Sequence, residues 1–295
     1  MNKLKSFWGI FHGYTAYHCL KTVQKMNKWI YFNDIIKELN IDLFSQYTND
    51  AASHLDENLK LYYITNVTNM HAFQVEFTKD CMESLVRDGL IKYDAPLVLV
   101  DIGDSAGTHL RYLKRILGNT FKSFHGVSVN LDPVAVEKIN RMGGEAVLCR
   151  GEDYKPDNMD VSCYLSFEMV EHLHNPALFF YRIAKNNNGK YMVVTVPYRK
   201  KSRVAVRSSL NYKSFDKIPS ELEHIFELSP DDWKKLAWHG GWKVRKEKIY
   251  YQYPRCSILA PIYKRAWEMF DFEGFYGMFL ERDMSAAEKY TDWED

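Results

Sequence analysis

Long apolar runs are missing from this 295-residue chain, and so is any strong imbalance of charge. No stretch approaches the roughly 18 consecutive apolar residues of a membrane span. Lys and Arg number 39 against 38 Asp and Glu, a formal net charge of +1, so no global field draws the chain to nucleic acid or an anionic membrane. Cysteine is scarce: Cys19, Cys81, Cys149, Cys163 and Cys256 are odd in number, scattered and without C-x-x-C spacing. That excludes a disulfide framework and a zinc knuckle and points to a reducing compartment. The start, MNKLKSFWGIFHGYTAYHCL, opens like a secretory leader, but His12 and His18 interrupt its apolar part and no A-x-A site follows. The expected location is cytoplasmic.

What is present suffices for one large domain, or one domain plus an appendage, with a sizeable core. Residues 1–92 form a block rich in aromatics and charge and poor in glycine and proline. Helical spacing recurs in Trp29, Ile30, Phe32, Ile35, Ile36 and Leu39, and again in Phe73, Phe77, Met82, Leu85 and Val86. Three or four helices are expected here, capping the domain at 93–295. They are either a structural cap or a lid that selects substrate, and Tyr14, Tyr17, Tyr62 and Tyr63 are the candidates for the second role.

The chain is organised around residues 97–113, LVLVDIGDSAGTHLRYL. Leu97 to Val100 form an unbroken apolar run, as in a parallel strand buried on both faces. Asp101 ends it, and Gly103, Ser105 and Gly107 alternate through a turn where bulky side chains would block a ligand. From Thr108 the spacing is helical, with Leu110, Leu113 and Leu117 on one stripe. Strand, glycine turn and helix make the phosphate- or nucleoside-binding corner of a doubly wound sheet. Asp101 and Asp104 flank the first glycine, and two carboxylates would repel a pyrophosphate but suit a cationic ligand with hydroxyls and an amino group.

The segment resembles the first motif of class I S-adenosylmethionine-dependent methyltransferases, D-x-G-x-G-x-G, with Ser105 at the middle glycine. The likeness continues. A second strand, Phe124–Asn130, precedes Asp132, a helix cap, and Pro133, at that helix's first position. The family form V-D-x-D-P places its ribose-binding acid at Asn130, beside Leu131, with Asp132 the alternative. After the strand Ala146–Cys149, Glu152 matches the acid near the adenine amine, with Asp153 as fallback. Residues 159–176 are similar to the fourth-strand motif F-D-x-V-x-S-x-x-V-x-E-H-x-x-x-P, which places Ser166 and Phe167 at the cofactor and Glu171 and His172 toward the acceptor.

The resemblance covers residues 95–250 and implies an α/β, Rossmann-like sheet of seven strands, order 3-2-1-4-5-7-6, the last antiparallel, beneath an N-terminal helical cap. A fifth strand, Tyr191–Val196, is expected to stop at Pro197. Ser229 and Pro230 start a helix ending at Gly240, and 242–250 form an outer strand paired with Phe275–Glu281. Insertions fall at 198–222 and 254–272, and the tail from Asp283 is expected to be exposed.

The expected activity is methyl transfer from S-adenosylmethionine to an oxygen of a small molecule or sugar. His172 has the right intrinsic pKa to take the acceptor's proton, with Glu171 and His224 as helpers, unless Glu171 and His172 only hold their loop together. Arg199, Lys200, Lys201, Arg203 and Arg207 could draw a phosphorylated or acidic acceptor, or be a solvated loop. No metal ligand is assigned. However, Glu168, Glu171 and His172, with His224, are similar to the Mg²⁺ site of small-RNA 2′-O-methyltransferases, and the first three also resemble ubiquinone-pathway O-methyltransferases. That leaves a Mg²⁺-dependent RNA methyltransferase as one alternative, with Tyr198 and Tyr212 available for stacking. A catalytically idle binding protein is the other, since Ser105 and Asn130 depart from the pattern.

Overall fold

Strand β1 (Pro96–Ile102) owes its central place to its apolar run: Leu97, Leu99 and Val100 are fully buried. Around it the computed structural model, which describes residues 57–156, 158–204, 224–251, 253, 258–272 and 274–290, builds a seven-stranded sheet. The elements in chain order are α1 (Glu57–Arg87), β1, α2 (Thr108–Leu117), β2 (Ser123–Asn130), α3 (Pro133–Arg141), β3 (Glu145–Leu148), β4 (Cys163–Phe167), α4 (Pro176–Asn186) and β5 (Tyr191–Tyr198). A two-stranded ribbon, β6 (Arg203–Val204) and β7 (Phe226–Glu227), follows. Then come α5 (Pro230–His239), β8 (Trp242–Tyr251), α6 (Ala260–Met269) and β9 (Gly274–Arg282). The sheet order is β3-β2-β1-β4-β5-β9-β8. β1 pairs in parallel with β2 and β4, β2 with β3, and β4 with β5, while β9 lies antiparallel to β5. With the ribbon set aside this is the expected 3-2-1-4-5-7-6 arrangement.

The chain divides into two compact units. One comprises residues 1–73 and 251–270, the other residues 74–250 and 271–295. The second holds the whole sheet up to Tyr250 and every site residue described below. In the first, the rings of Tyr253 and Trp267 lie 6.4 Å apart. Of the expected N-terminal helices, the stripe Trp29–Leu39 and Tyr14 and Tyr17 lie outside the described residues, and α1 carries the Phe73–Val86 stripe. Phe77, Met82 and Leu85 on it are fully buried. Its acids meet the cations of β8: Glu76 with Lys248 at 2.8 Å, and Asp88, just past its end, with Arg245 at 2.8 Å.

Helix ends follow their sequence signals. Asp132 caps α3 by accepting from the Val134 N–H, Asn175 caps α4, and Ser229 caps α5, each with proline in the first turn. Two expectations change. β5 runs past Pro197 to Tyr198, because β4 ends opposite Thr195 and leaves no ladder bond on that side for the proline to break. The described part of the tail, residues 283–290, is anchored, with Ala286 and Ala287 buried and the Asp283 N–H bonded to the Gly241 carbonyl at 2.9 Å.

Candidate functional site

The carboxyl ends of β1, β2, β4 and β5 lie along one edge, where open parallel sheets take their ligands. After β1 the backbone enters positive φ at Gly103 (+94°) and Gly107 (+66°). A Cβ on Gly103 would stand 2.6 Å from Cγ of Met169, so this glycine lets the segment after β4 close on the bend after β1. Asp101 and Asp104, 1% and 2% exposed, turn inward. Asp104 accepts from the N–H groups of Gly107 (2.8 Å) and Ala106 (3.2 Å) and from the Ser128 hydroxyl (2.9 Å). Asp101 Oδ2 lies 3.1 Å from His109 Nδ1. The sequence places both acids beside a cationic ligand; in the structure each has hydrogen-bond partners within the chain, as a buried carboxylate needs. Ser105 is what the bend exposes.

Asn130 is likewise engaged at both ends of its amide. It donates to the Asp104 carbonyl at 3.0 Å and accepts from the Asp132 N–H at 2.8 Å, joining the bends after β1 and β2. Leu131 beside it is 65% exposed. Glu152 and Asp153, on a short 3₁₀ turn after β3, pair with Arg150 (3.1 Å) and Arg182 (2.8 Å). Both line a cavity of about 440 Å³ with Lys155 and Lys185.

β4 delivers Ser166 and Phe167 to the edge, both buried, and the Ser166 hydroxyl has no hydrogen-bond partner among the described residues. A buried polar atom left open in this way suits a ligand's polar group. Glu168 then takes φ +48°, a left-handed conformation rare outside glycine, held by its N–H on the Thr195 carbonyl at 2.9 Å. Burial pushes its carboxyl up to about 7, against the Thr195 hydroxyl and the His224 and His109 rings, which favour the charge.

The 3₁₀ turn Val170–His172 completes the motif. Glu171 is fully buried and, among the described residues, neither carboxylate oxygen has a hydrogen-bond partner; His172 Nε2 stands 3.9 Å away. Burial, and then the Glu168 charge, hold the Glu171 carboxyl well above the usual range. The His172 and His224 rings meet edge to face, centroids 4.9 Å apart. One ligand atom from each of Glu171, His172 and His224 lies within 4.8 Å of the others, and Glu168 is not part of that group.

Behind His224 stands Glu227, which the sequence reading gave no role. It is 3% exposed and receives His224 Nδ1 (2.9 Å), Arg199 Nε (2.8 Å) and Arg203 Nε (2.6 Å). Burial would raise its carboxyl, and these three partners outweigh burial and hold it at about 2. Arg199 and Arg203, read either as drawing an anionic acceptor or as part of a solvated loop, are thus occupied by a carboxylate of the chain itself. Arg207, Tyr212 and most of the insertion at 198–222 lie outside the described residues. Gln74, His109 and Thr195 also escaped the sequence reading; a histidine in the second position of the helix after the glycine bend was their one available signal.

No family model matches the chain, and no curated protein does. Solved structures do. The geranyl diphosphate C-methyltransferase of Streptomyces coelicolor A3(2), in complex with Mg²⁺, geranyl diphosphate and S-adenosyl-L-homocysteine, is 13% identical with a TM-score of 0.51, covering 86% of this chain and 98% of that one. A putative sarcosine dimethylglycine methyltransferase from Galdieria sulphuraria is 14% identical with a TM-score of 0.46, covering 68% and 82%. The fold is the Rossmann-like one of class I methyltransferases.

Proposed function

We propose that this chain is an S-adenosylmethionine-dependent methyltransferase acting on an oxygen of a small molecule or sugar. The observation that carries the reading is the gathering of Glu171, His172 and His224 on the segment whose Met169 closes against the glycine bend at Gly103. Acceptor chemistry and cofactor bend then share one edge of the sheet. The residues fit the cofactor where it matters: Ser105 is exposed on the bend and the Ser166 hydroxyl beside it is buried with no partner among the described residues.

S-adenosylmethionine supplies a methyl group on a positively charged sulfur that leaves as a neutral thioether. The chain's own task is to hold the acceptor oxygen in line and to take its proton. His172, half-buried and flanked by Glu171 and the His224 ring, would receive that proton. Glu171, whose carboxyl burial raises well above its usual range, stands beside the His172 ring. Glu227 fixes the His224 ring through its Nδ1.

A second reading, metal assistance, is favoured by the same cluster. One carboxylate and two imidazoles would hold a divalent transition metal better than Mg²⁺, which prefers oxygen. Such an ion would lower the pKa of an acceptor hydroxyl. An RNA acceptor is the weaker form of it, because Arg199 and Arg203 are engaged by Glu227. Calorimetry with S-adenosylhomocysteine and transfer of labelled methyl to a panel of sugars and small alcohols test the main reading. Binding with transfer, and loss of transfer but not binding in His172→Ala, are expected; neither binding nor transfer would leave an idle scaffold. Activity unchanged in chelator would remove the metal.

A further inference from the structure

A string of buried hydrogen bonds runs beneath the candidate site and joins its two sides. Asp101 Oδ2 lies 3.1 Å from His109 Nδ1, and His109 Nε2 lies 2.9 Å from Gln74 Oε1. Gln74 Nε2 donates to Thr195 Oγ1 at 3.0 Å, and the Thr195 hydroxyl favours the charged form of the Glu168 carboxyl. Gln74 and Thr195 are fully buried, Asp101 and His109 nearly so, and the Phe167 ring covers the imidazole at 4.6 Å. One end is the acid of the cofactor bend; the other is the acid that begins the E-x-x-E-H motif.

The protons in this string have one consistent arrangement. A hydroxyl has a single proton, and a carboxylate is the stronger acceptor. Thr195 therefore donates to Glu168 and accepts from the Gln74 amide NH₂. The Gln74 oxygen is left facing His109, and since it only accepts, Nε2 must carry a proton. On the other side Nδ1 faces a carboxylate, so a proton must lie there too, on nitrogen or on oxygen.

We propose that His109 is a positioning residue, held as the imidazolium against Asp101, which through Gln74 and Thr195 fixes the Thr195 hydroxyl on Glu168. An imidazole is intrinsically more basic than a carboxylate. The charged groups facing the ring are Asp101 and Asp104 from the β1 bend and Glu168 after β4, while α1 presents the neutral Gln74. Burial disfavours the cation, and the Asp101 hydrogen bond and these acids overcome it, raising His109 above its ordinary 6.5. Burial and Asp104 also push Asp101 up, to about 6, which is still below the imidazole. The shared proton rests on the ring. The Asp101–His109 pair thus closes with no net charge, so the bend does not carry two bare carboxylates into the core. The link to catalysis rests on the methyltransferase reading; the protonation state does not.

The test is nuclear magnetic resonance of the full chain with ¹⁵N-labelled histidine at about pH 8, well above the ordinary imidazole value near 6.5. The His109 ring is expected to keep both protons, and its signal to vanish in His109→Gln. In Gln74→Met the Nε2 proton should exchange about tenfold faster, as expected for one lost hydrogen bond, which also assigns the signal if His109→Gln does not fold. A His109 ring carrying a single proton at that pH, or exchange unmoved in Gln74→Met, overturns the proposal. Calorimetry with S-adenosylhomocysteine on the same wild-type sample separates the two ideas, since absent binding would remove the methyltransferase reading and leave the ring's protons as measured.

Discussion

The Ser128 hydroxyl donates to Asp104 Oδ2 at 2.9 Å, tying the bend after β1 to the middle of β2. With the two N–H groups on Oδ1, Asp104 organises the turn. Asp104→Ala leaves three donors in a buried place without an acceptor. The expected loss is about 2–4 kcal/mol of stability, read from the urea midpoint. Asp104→Asn, which keeps one acceptor oxygen, should lose about half of that. An unchanged midpoint in the alanine variant would mean that the turn closes without the carboxylate.

Gly103 is required by conformation and by space. Its φ of +94° is unfavourable to any side chain, and an added Cβ would run into Met169. Gly103→Ala is expected to destabilise by about 2–4 kcal/mol, adding left-handed strain to overpacking, and to weaken S-adenosylhomocysteine binding in calorimetry. Adding Met169→Ala should relieve the overpacking and leave the strain, so the double variant should recover part of the stability. Full recovery would show that the backbone at 103 is not strained at all.

The route from sequence to site divides at side-chain direction. The run Leu97–Val100 and the stripe Leu110, Leu113 and Leu117 announce a strand buried on both faces and a helix packed on it, and all but Val98 of these positions are buried. Caps at Asp132, Asn175 and Ser229 are local, so residue type and spacing suffice. Asp101 and Asp104 were legible as acids at a ligand turn, but their inward direction depends on His109 and Ser128, on other elements. Gln74 bonds residues 35 and 121 positions away, and nothing local distinguishes it from other polar residues of an amphipathic helix. Glu227 is hidden for the same reason: its meaning lies in Arg199 and Arg203, at the far end of the insertion.

Stability should fall as the pH rises. Burial raises the carboxyls of Glu168 and Glu171 in the folded chain above their usual 4.5. A group of that kind binds its proton more tightly when folded, so its contribution is complete below about 4.5 and is lost as the pH climbs to the folded value. For Glu168, raised to about 7, the loss between pH 4.5 and 7 is up to about 3 kcal/mol. Denaturant midpoints in chelator should therefore decline from about pH 5 upward. The decline should be shallower in Glu168→Gln and Glu171→Gln. A wild-type midpoint that is flat across this range would mean that both carboxyls find solvent or a partner.

Glu227 is the opposite case and marks the acid limit. Held at about 2 by His224, Arg199 and Arg203, it contributes stability that is complete above its usual 4.5 and is lost as the pH falls through about 2. Its share at neutral pH is of order 2–3 kcal/mol. Glu227→Gln should cost about that much at pH 7 and much less near pH 2, where the wild-type carboxyl is itself protonated. The substitution also frees the His224 ring that meets His172, so in the proposed reaction the acceptor KM should rise while S-adenosylhomocysteine affinity holds. Glu227→Asp, one methylene shorter, keeps the charge but not the reach to all three partners. It should retain part of the stability and little of the acceptor affinity. If both variants bound acceptor as the wild type does, the ribbon would be an ion-pair clasp with no part in placing His224.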